Sequence, residues 1–548
     1  MIQRVLGLAL ASALAQFMCA AQPSGAQQVV ADPHLAELKR AAIAEVEQRR
    51  ALTQQIVDSL FSFSEIGYQE FETQRYLTAL LARNGFTVER GVAGIPSSWV
   101  ARWGSGGPVI ALGADVDGVP TTNQTPGVLA RKEIVPGAPG HGEGHNSGQA
   151  LVITAALAAK AVMERERLPG TLVVWPGIAE ELLAGKAYFV RAGVFRDVDA
   201  VLYVHVGNVL GTGWGDSESS SLVSIEYTFT GESSHAARAP WLGRSALDAV
   251  ELMNVGWNYR REHLRLAQRS HYVISNGGDQ PNVVPPLASV WYYFRENDYA
   301  HVQDLWEIGN QMAQGAALMT GTEFTSRVLG SAWPAHRNRP LAEAVQQNIE
   351  LVGLPQWSEA DQQFARAVQR SLGVPERGLV NQLFPLEGVE QIPDEDKSGG
   401  ASDDIGDVMW NAPTASLAYP ANIAGTTPHN WTAAIASATP IAHKGATQGA
   451  MVYAATVIDL VLRPDLVAAA RDYFANVQGK YAKYTPYIRE GDEPVVTMNK
   501  DTMDRYRPEL AKHYYDARRF KTYLEQLGVA YPPAMPPAPV RAPSGGGQ

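Results

Sequence analysis

The sequence predicts an α/β fold: one domain has a mostly parallel central sheet flanked by helices and carries an inserted α+β domain. Three observations predict it. Strand-like apolar runs alternate with helical stretches between residues 108 and 205, which is the order of parallel βαβ units. Residues 108–115, PVIALGAD, are almost wholly apolar, as expected of a strand buried on both faces. After Gly215 the strands alternate between polar and apolar residues instead, which is typical of antiparallel sheets.

The size and charge of the chain limit the classes of function. It has 548 residues, 45% apolar and 18% charged, so it is long enough for more than one packed domain. Its 45 Lys and Arg against 56 Asp and Glu give a net charge of −11, without a long basic run. Because nucleic-acid binding depends on neutralising phosphates with basic side chains, no nucleic-acid partner is expected.

The first residues predict export. Residues 1–26 place Arg4 before an apolar run and then small residues, which is the layout of a cleavable signal peptide. We therefore expect an exported, periplasmic protein. The only cysteine, Cys19, lies in this leader, and the residues before it match a lipoprotein cleavage box only faintly. No later run is long and charge-free enough to span a bilayer, so no transmembrane segment is expected.

The remaining chain divides into four predicted segments. Residues 27–215 form the first part of the larger domain, beginning with a helix pair in residues 33–83, where apolar residues recur at three- and four-residue steps. Residues 216–335 form the insert, predicted as strand, helix, strand and helix. Residues 336–475 complete the larger domain. Residues 476–548 are a C-terminal extension that ends in a Pro- and Gly-rich tail, a composition that cannot build a packed core.

Acidic and imidazole residues follow successive predicted strands, where an open α/β sheet binds its ligands. They are Asp115, Asp117, Glu143, His145, Glu180, Glu181, His205 and His429. Taken singly, each has an ordinary explanation, such as a hydrogen-bonded core histidine, an acidic first helical turn or a glycine loop. Their shared position after strands favours a common site, and imidazoles with carboxylates suit zinc, manganese or cobalt.

The motifs ADVDGVP, GHGEGHN, AEE, HVGN, GESSHAA, ASDDIGDV and PHNW, in this order, resemble the aminoacylase/carboxypeptidase family of dinuclear metal amidohydrolases. The resemblance covers about residues 52–464 and is strongest to the family's aminobenzoyl-glutamate hydrolase-like branch. It implies a metal-dependent amidohydrolase that cleaves small N-acyl or N-aroyl amino acids. It also implies two divalent ions (Zn, Mn or Co), a small-molecule amide substrate, and a homodimer in which the insert is the lid and dimerisation domain.

The resemblance also implies a role for each matching residue. The implied metal ligands are Glu143, His145, Glu181, His205 and His429. Glu180 matches the general base, which takes a proton from water activated by the metal, and Asp117 matches a residue that orients a ligand. The chain departs from the family at Glu143, where related amidohydrolases have a cysteine. Asp115 stands where other branches have a ligand histidine, so its role as a ligand is left open.

Three residues of the insert match positions that act on the substrate. His235 matches a histidine that reaches the partner's active site and stabilises the oxyanion. Asn282 and Arg295 match polar positions on the substrate side, and an arginine there can bind a carboxylate through two hydrogen bonds. A surface ion pair is an equally acceptable explanation for Arg295.

Two other functions stay open at this point. A metallo-dipeptidase or aminopeptidase would use the same site but would require a free amine on its substrate. A catalytically inactive relative that only binds small amides is supported by Glu143 in place of cysteine. A serine hydrolase is not expected, because the chain has no GxSxG motif.

Overall fold

A computed structural model describes residues 32–533. The predicted signal peptide with Cys19 lies outside the described residues, and so does the part of the Pro- and Gly-rich tail that follows residue 533. The described chain forms strands and α-helices throughout both predicted domains. The strands are β1 (Thr87–Arg90), β2 (Trp99–Ser105), β3 (Val109–Asp115), β4 (Gly170–Gly177), β5 (Ala200–Gly207), β6 (Gly211–Asp216), β7 (Ser221–Thr230), β8 (Arg269–Asn276), β9 (Leu287–Glu296), β10 (Glu323–Ala332), β11 (His336–Arg337), β12 (Glu387–Val389) and β13 (Thr414–Pro420).

Helices cover the sheets, and two short helices lie in the C-terminal extension. They are α1 (Pro33–Gln48), α2 (Arg50–Phe63), α3 (Phe71–Arg83), α4 (Gly148–Glu166), α5 (Lys186–Ala192), α6 (Ala246–Arg260), α7 (Tyr299–Thr320), α8 (Arg339–Val352), α9 (Glu359–Ser371), α10 (Ile405–Met409), α11 (Trp431–Ala434), α12 (Pro440–Leu462), α13 (Pro464–Asn476), α14 (Lys500–Leu510) and α15 (Tyr523–Gln526). The region predicted as a helix pair is thus three helices, because short breaks follow Gln48 and Phe63.

The larger sheet has the order β1-β2-β4-β3-β5-β13-β6-β11, with β12 beside β6. Strands β4, β3, β5 and β13 are parallel. Towards the two edges, β1, β2, β6 and β11 pair antiparallel, and β12 runs parallel to β6. Helices α4, α8 and α12 pack on this sheet, and α1 packs on α4 and α12. This arrangement confirms the predicted mixed α/β fold. It also brings the carboxyl ends of the central strands to one edge, where such sheets bind ligands.

The insert forms a separate four-stranded antiparallel sheet in the order β10-β7-β9-β8, with α6 and α7 packed on it. The predicted strand–helix–strand–helix succession was wrong in lacking β8 and β10. These are the two edge strands, and much of β8 is exposed, so their apolar alternation is weaker than that of β7 and β9. The domain boundaries themselves remain a prediction.

Helix α12 is the one helix in residues 32–533 that is long and apolar enough to cross a membrane by length and composition. However, 83% of its most apolar window is buried in the protein, and the helix contacts α1, α4 and the sheet. The core helix of a globular domain has the same composition, so α12 is weak support for a membrane span.

The C-terminal extension contacts the insert close to where the insert begins and ends. The Tyr487 hydroxyl lies 2.7 Å from Ser221 Oγ at the start of β7. Trp333, directly after β10, donates from its indole nitrogen to the Thr485 carbonyl at 2.9 Å. The extension therefore ties together the two chain crossings between the domains.

Candidate active site

A cleft of about 430 Å³ is lined by residues from the central strands β5 and β13 and from β9 of the insert. Both sheets therefore contribute to it. Six of the residues singled out in the sequence line this cleft: Glu143, Glu180, Glu181, His205, Arg295 and His429. His145 lies behind them and is buried.

His145 is oriented by Asp117. Its Nδ1 donates to the Asp117 carbonyl oxygen at 3.2 Å and lies 3.7 Å from Asp117 Oδ1. This leaves Nε2 directed at the cleft. Gly144 has a φ of +118°, a backbone conformation that a residue with a Cβ rarely adopts, and it turns the chain between Glu143 and His145. The pKa of His145 is raised well above its usual value, because Asp117 and the nearby carboxylates outweigh the opposing effect of burial.

His205, at the end of β5, faces His145. Its Nδ1 lies 3.0 Å from the Val206 carbonyl oxygen, so its Nε2 is left to meet other groups. That Nε2 is 3.4 Å from His145 Nε2 and 3.5 Å from Glu143 Oε1. Two imidazole nitrogens that meet a carboxylate at these distances are arranged like ligands around a common cation.

Glu143 and Glu181 converge on His429. The His429 Nε2 lies 3.1 Å from Glu143 Oε2 and 3.1 Å from Glu181 Oε2. Burial raises the pKa of Glu181 to about 8. Burial also acts on Glu143, but the hydrogen bond from His429 and the three imidazoles hold the pKa of Glu143 well below its usual range. His429 has a φ of +54°, a strained backbone of the kind that clusters at functional sites.

These donors fit a divalent metal ion. Ligand atoms of Glu143, His145 and Glu181 lie within 4.8 Å of one another. Ligands of a zinc ion sit about 2.0–2.2 Å from it, so two ligands of one tetrahedral ion are roughly 3.5 Å apart, close to the separations found here. In addition, Glu181 Oε1 is buried without a hydrogen-bond partner among residues 32–533. The mixed imidazole and carboxylate set suits zinc, manganese or cobalt.

Glu180 lies beside this cluster, in a short helical turn that follows β4. Its Oε2 is 3.9 Å from His145 Nε2, and its side chain lines the cleft. Burial raises the pKa of Glu180 well above its usual value, and the neighbouring Asp403 and Asp115 raise it further. Glu180 is therefore held where it can exchange a proton with a molecule bound in the cleft.

The three predicted residues of the insert are placed differently. Arg295, on β9, lines the cleft, and its Nη1 donates to Ser402 Oγ at 3.3 Å. His235 and Asn282 are exposed and do not line the cleft of their own chain. They lie close together, because Ala236 N donates to the Asn282 carbonyl at 3.0 Å and His235 pairs with Val283. The roles predicted for these residues stay predictions.

A buried ion cluster next to the predicted metal ligands was missed in the sequence. Lys186 Nζ lies 2.7 Å from Asp115 Oδ1 and also forms ion pairs with Asp403 and Asp404. The Tyr203 hydroxyl donates to Asp115 and lies 3.0 Å from Asp403 Oδ2. The Asp115 carboxylate is thus already occupied by protein groups. The motif ASDDIGDV contains two of these acids, but Lys186 sits in a helix without any local signal.

Comparisons with known proteins show what the chain is similar to. The profile of the Peptidase family M20/M25/M40 matches residues 111–376. One of the subunits of the p-aminobenzoyl-glutamate hydrolase of Escherichia coli (strain K12) is 34% identical over 442 residues, which cover 77% of this chain and 92% of that protein. The Xaa-Arg dipeptidase of Mus musculus is 28% identical over 328 residues, or 59% of this chain and 73% of that protein.

A solved structure supports the fold alone. A protein from methicillin resistant Staphylococcus aureus matches with a TM-score of 0.53 at 18% sequence identity, covering 77% of this chain and 100% of that chain. The identity to the Escherichia coli hydrolase, which extends over nearly all of that protein, settles the family. The chain belongs to the Peptidase family M20/M25/M40 and is a metal-dependent amidohydrolase or peptidase.

Proposed function

We propose that the protein hydrolyses the amide bond of small N-acyl or N-aroyl amino acids, using one or two divalent ions and Glu180 as the general base. The observation that carries this proposal is the convergence of three imidazoles and two carboxylates next to Glu180 in one cleft. The similarity to the p-aminobenzoyl-glutamate hydrolase of Escherichia coli supports aroyl amino acids as substrates.

Each side chain has a defined part in this proposal. His145, His205 and His429 hold the metal with Glu143 and Glu181. A bound divalent ion lowers the pKa of water and polarises a carbonyl oxygen. Glu180 takes the proton of the attacking water and delivers it to the leaving nitrogen. Arg295 binds the free carboxylate of the amino acid part through paired hydrogen bonds.

Glu143 fits an exported enzyme. A carboxylate can contact two cations through its two oxygens, and here those oxygens face two different histidines, His205 and His429. Unlike a cysteine thiolate, it is not oxidised outside the cytoplasm. We therefore propose that Glu143 takes the place of the family's cysteine as a shared ligand rather than abolishing the site.

The test is a substrate screen of protein freed of metal and then loaded with zinc, manganese or cobalt. N-acyl amino acids, aminobenzoyl-glutamate and free dipeptides are compared. We expect cleavage of blocked-amine substrates only in the loaded protein. Cleavage confined to substrates with a free amine would favour an aminopeptidase. Metal binding without any turnover would instead favour an inactive amide-binding relative.

We also propose that two copies associate through the insert. Several large apolar side chains of this domain are exposed, among them Trp241 (72%), Tyr259 (76%) and Val273 (57%), and apolar patches of this kind mark interaction surfaces. The molar mass of the purified protein tests the proposal: we expect a dimer, and a monomer after Val273→Glu together with Tyr259→Glu. Because the Escherichia coli relative is one of two named subunits, association only with a different chain would contradict the homodimer.

We propose export to the periplasm, and this proposal rests only on the predicted signal peptide. The intact mass of protein purified from the periplasm is expected to lack the first 26 residues. An uncleaved chain, or a mass that carries lipid on Cys19, would contradict this form of the proposal.

A further inference from the structure

A second arginine lines the same cleft as Arg295. Arg337 lies on β11, the short strand that follows the return of the chain from the insert and pairs with β6. Its half-buried side chain borders the cleft of about 430 Å³ and also an adjoining cavity of about 460 Å³. The two cavities share Arg337, Ser416 and Ala418. Arg337 is therefore positioned where the cleft continues past the central strands.

The guanidinium of Arg337 has no partner of its own. Among residues 32–533 it makes no hydrogen bond, and no carboxylate lies within 4.0 Å of it. Burial lowers its pKa, and the one opposing charge is the more distant Asp403. By contrast, Arg339 lies two residues further along, donates to Glu343 at 2.8 Å and stacks on Trp214. The missing partner is thus a property of Arg337 and not of this stretch of chain.

A half-buried guanidinium that lines a cleft and has no protein partner is available to an anionic ligand that enters the cleft. A guanidinium offers five donors in a planar fork that matches a carboxylate. A bound carboxylate would therefore supply the contacts that Arg337 lacks.

Arg295 also lacks a carboxylate partner among the described residues. It donates to the neutral Ser402, packs over the ring of Tyr293, and its Nε has no partner among the described residues. The cleft consequently holds carboxylates and imidazoles at its metal side and two arginines without carboxylate partners elsewhere in its lining. One carboxylate on the substrate accounts for only one of these arginines.

We propose that Arg337 binds a second carboxylate of the substrate, in addition to the one bound by Arg295, so that the enzyme selects dicarboxylic N-acyl amino acids. This inference rests on the proposed function and names its substrate class. The second carboxylate belongs either to the side chain of an acidic amino acid or to the acyl group. Both sources offer Arg337 the same chemistry, and the substrates below separate them.

The experiment compares three substrates that differ in their carboxylates. N-benzoyl-glutamate has a side-chain carboxylate, N-benzoyl-glutamine has the neutral isostere, and N-(4-carboxybenzoyl)-glutamine has its second carboxylate on the acyl group. The kcat/KM of each is measured for the metal-loaded parent, for Arg337→Gln, for Arg337→Lys and for the control Arg339→Gln. The dissociation constants of the same compounds give a second measurement that does not require turnover.

We expect the parent to prefer one of the dicarboxylates over N-benzoyl-glutamine by roughly 10- to 100-fold, the range for a hydrogen-bonded charge pair. Arg337→Gln should abolish that preference, while the kcat/KM of N-benzoyl-glutamine should change less than about threefold. Arg337→Lys should keep part of the preference, and Arg339→Gln all of it. If Arg337 had only a structural role, Arg337→Gln would instead lower the kcat/KM of all three substrates together.

The outcomes separate this inference from the proposed function. If the parent cleaves N-benzoyl-glutamine as well as both dicarboxylates, or if Arg337→Gln keeps the preference, the role of Arg337 is overturned and the amidohydrolase stands. If the parent cleaves none of the three, the proposed function fails. The binding constants then decide on Arg337 alone: tighter binding of a dicarboxylate that Arg337→Gln removes supports it, and equal binding of all three compounds refutes it.

Discussion

The two walls of the cleft differ in how many of their predicted functional residues reach the cleft within one chain. On the wall formed by the larger domain, the predicted ligands and Glu180 converge with side-chain atoms 3.1–3.9 Å apart. On the wall formed by the insert, Arg295 reaches the cleft, but His235 and Asn282 stay exposed on the outside of their own domain. The first wall is assembled by a single chain, whereas the second leaves two polar residues available to another molecule.

The difference follows from how each wall is built. Parallel strands bring their carboxyl ends to one edge, so side chains that follow them meet inside one domain. A loop at the edge of an antiparallel insert has no such constraint, and its position relative to a catalytic centre depends on domain and subunit contacts. The predictions that follow test the two walls separately.

The largest effect is expected at the wall of the larger domain. Replacing Glu180 with glutamine removes the proton acceptor but keeps the shape of the side chain, so kcat should fall by about 100- to 10,000-fold with the metal content unchanged. Steady-state kinetics and metal analysis measure this. Glu164→Gln, at the exposed end of α4, is the matched control. A Glu180→Gln variant that turns over at the parent's rate would exclude Glu180 as the base.

A smaller effect, which tests the insert's wall, is expected at His235. Loss of one oxyanion donor should lower kcat by about 100- to 1,000-fold without altering the metal content, whereas the exposed His263→Ala should behave like the parent. If His235 acts across a dimer, mixing His235→Ala with Glu180→Gln should restore activity. Random exchange of subunits makes about half of the dimers hybrids. Each hybrid has one intact site out of two, so about a quarter of all sites should be active. No recovery despite subunit exchange would show that His235 does not act in the partner's site.

The orienting contact of Asp117 should have a more moderate effect. Asp117→Asn weakens the acceptor that faces His145, so metal affinity should fall by about 10- to 100-fold, as measured by competition with a chelator. Asp465→Asn, on the surface of α13, is the control. Unchanged affinity would mean that the hydrogen bond to the Asp117 backbone carbonyl alone orients His145.

The smallest expected effect concerns Glu70, which supports the loop that carries Glu180. Its Oε1 accepts from the backbone of Ala179 at 3.0 Å, and Ser97 donates to its Oε2 at 2.7 Å. Burial raises the pKa of Glu70 to about 8 from an ordinary 4.5. The folded state thus favours the neutral acid, so this contribution to the free energy of unfolding is full below about pH 4.5 and is lost as the pH rises through about 8.

Replacing Glu70 with glutamine keeps the side chain's shape and removes its charge. The stability of Glu70→Gln relative to the parent should therefore increase between pH 5 and pH 8, at most on the order of 1 kcal/mol per pH unit. Urea unfolding at several pH values measures this, with the exposed Glu493→Gln as control. A difference that is constant with pH would mean that Glu70 is already ionised in the folded protein.

The order of motifs along the chain was enough to predict the α/β fold, the family, and a set of ligand candidates that do converge. Each of these candidates follows a strand or opens a loop with its own local pattern, as Glu143 and His145 do in GHGEGHN. Edge strands β8 and β10 were missed, because polar and exposed positions weaken their alternation.

Other features arise only from tertiary contacts. Lys186 is distant in sequence from Asp403 and Asp404, and nothing near it signals that it would be buried among acids. Arg337 is one of two arginines in HRNRP, and only the folded chain leaves it in the cleft without a partner. Local patterns determine which groups follow each strand, but burial and the pairing of charges depend on which distant segments meet in space, and the fold decides this.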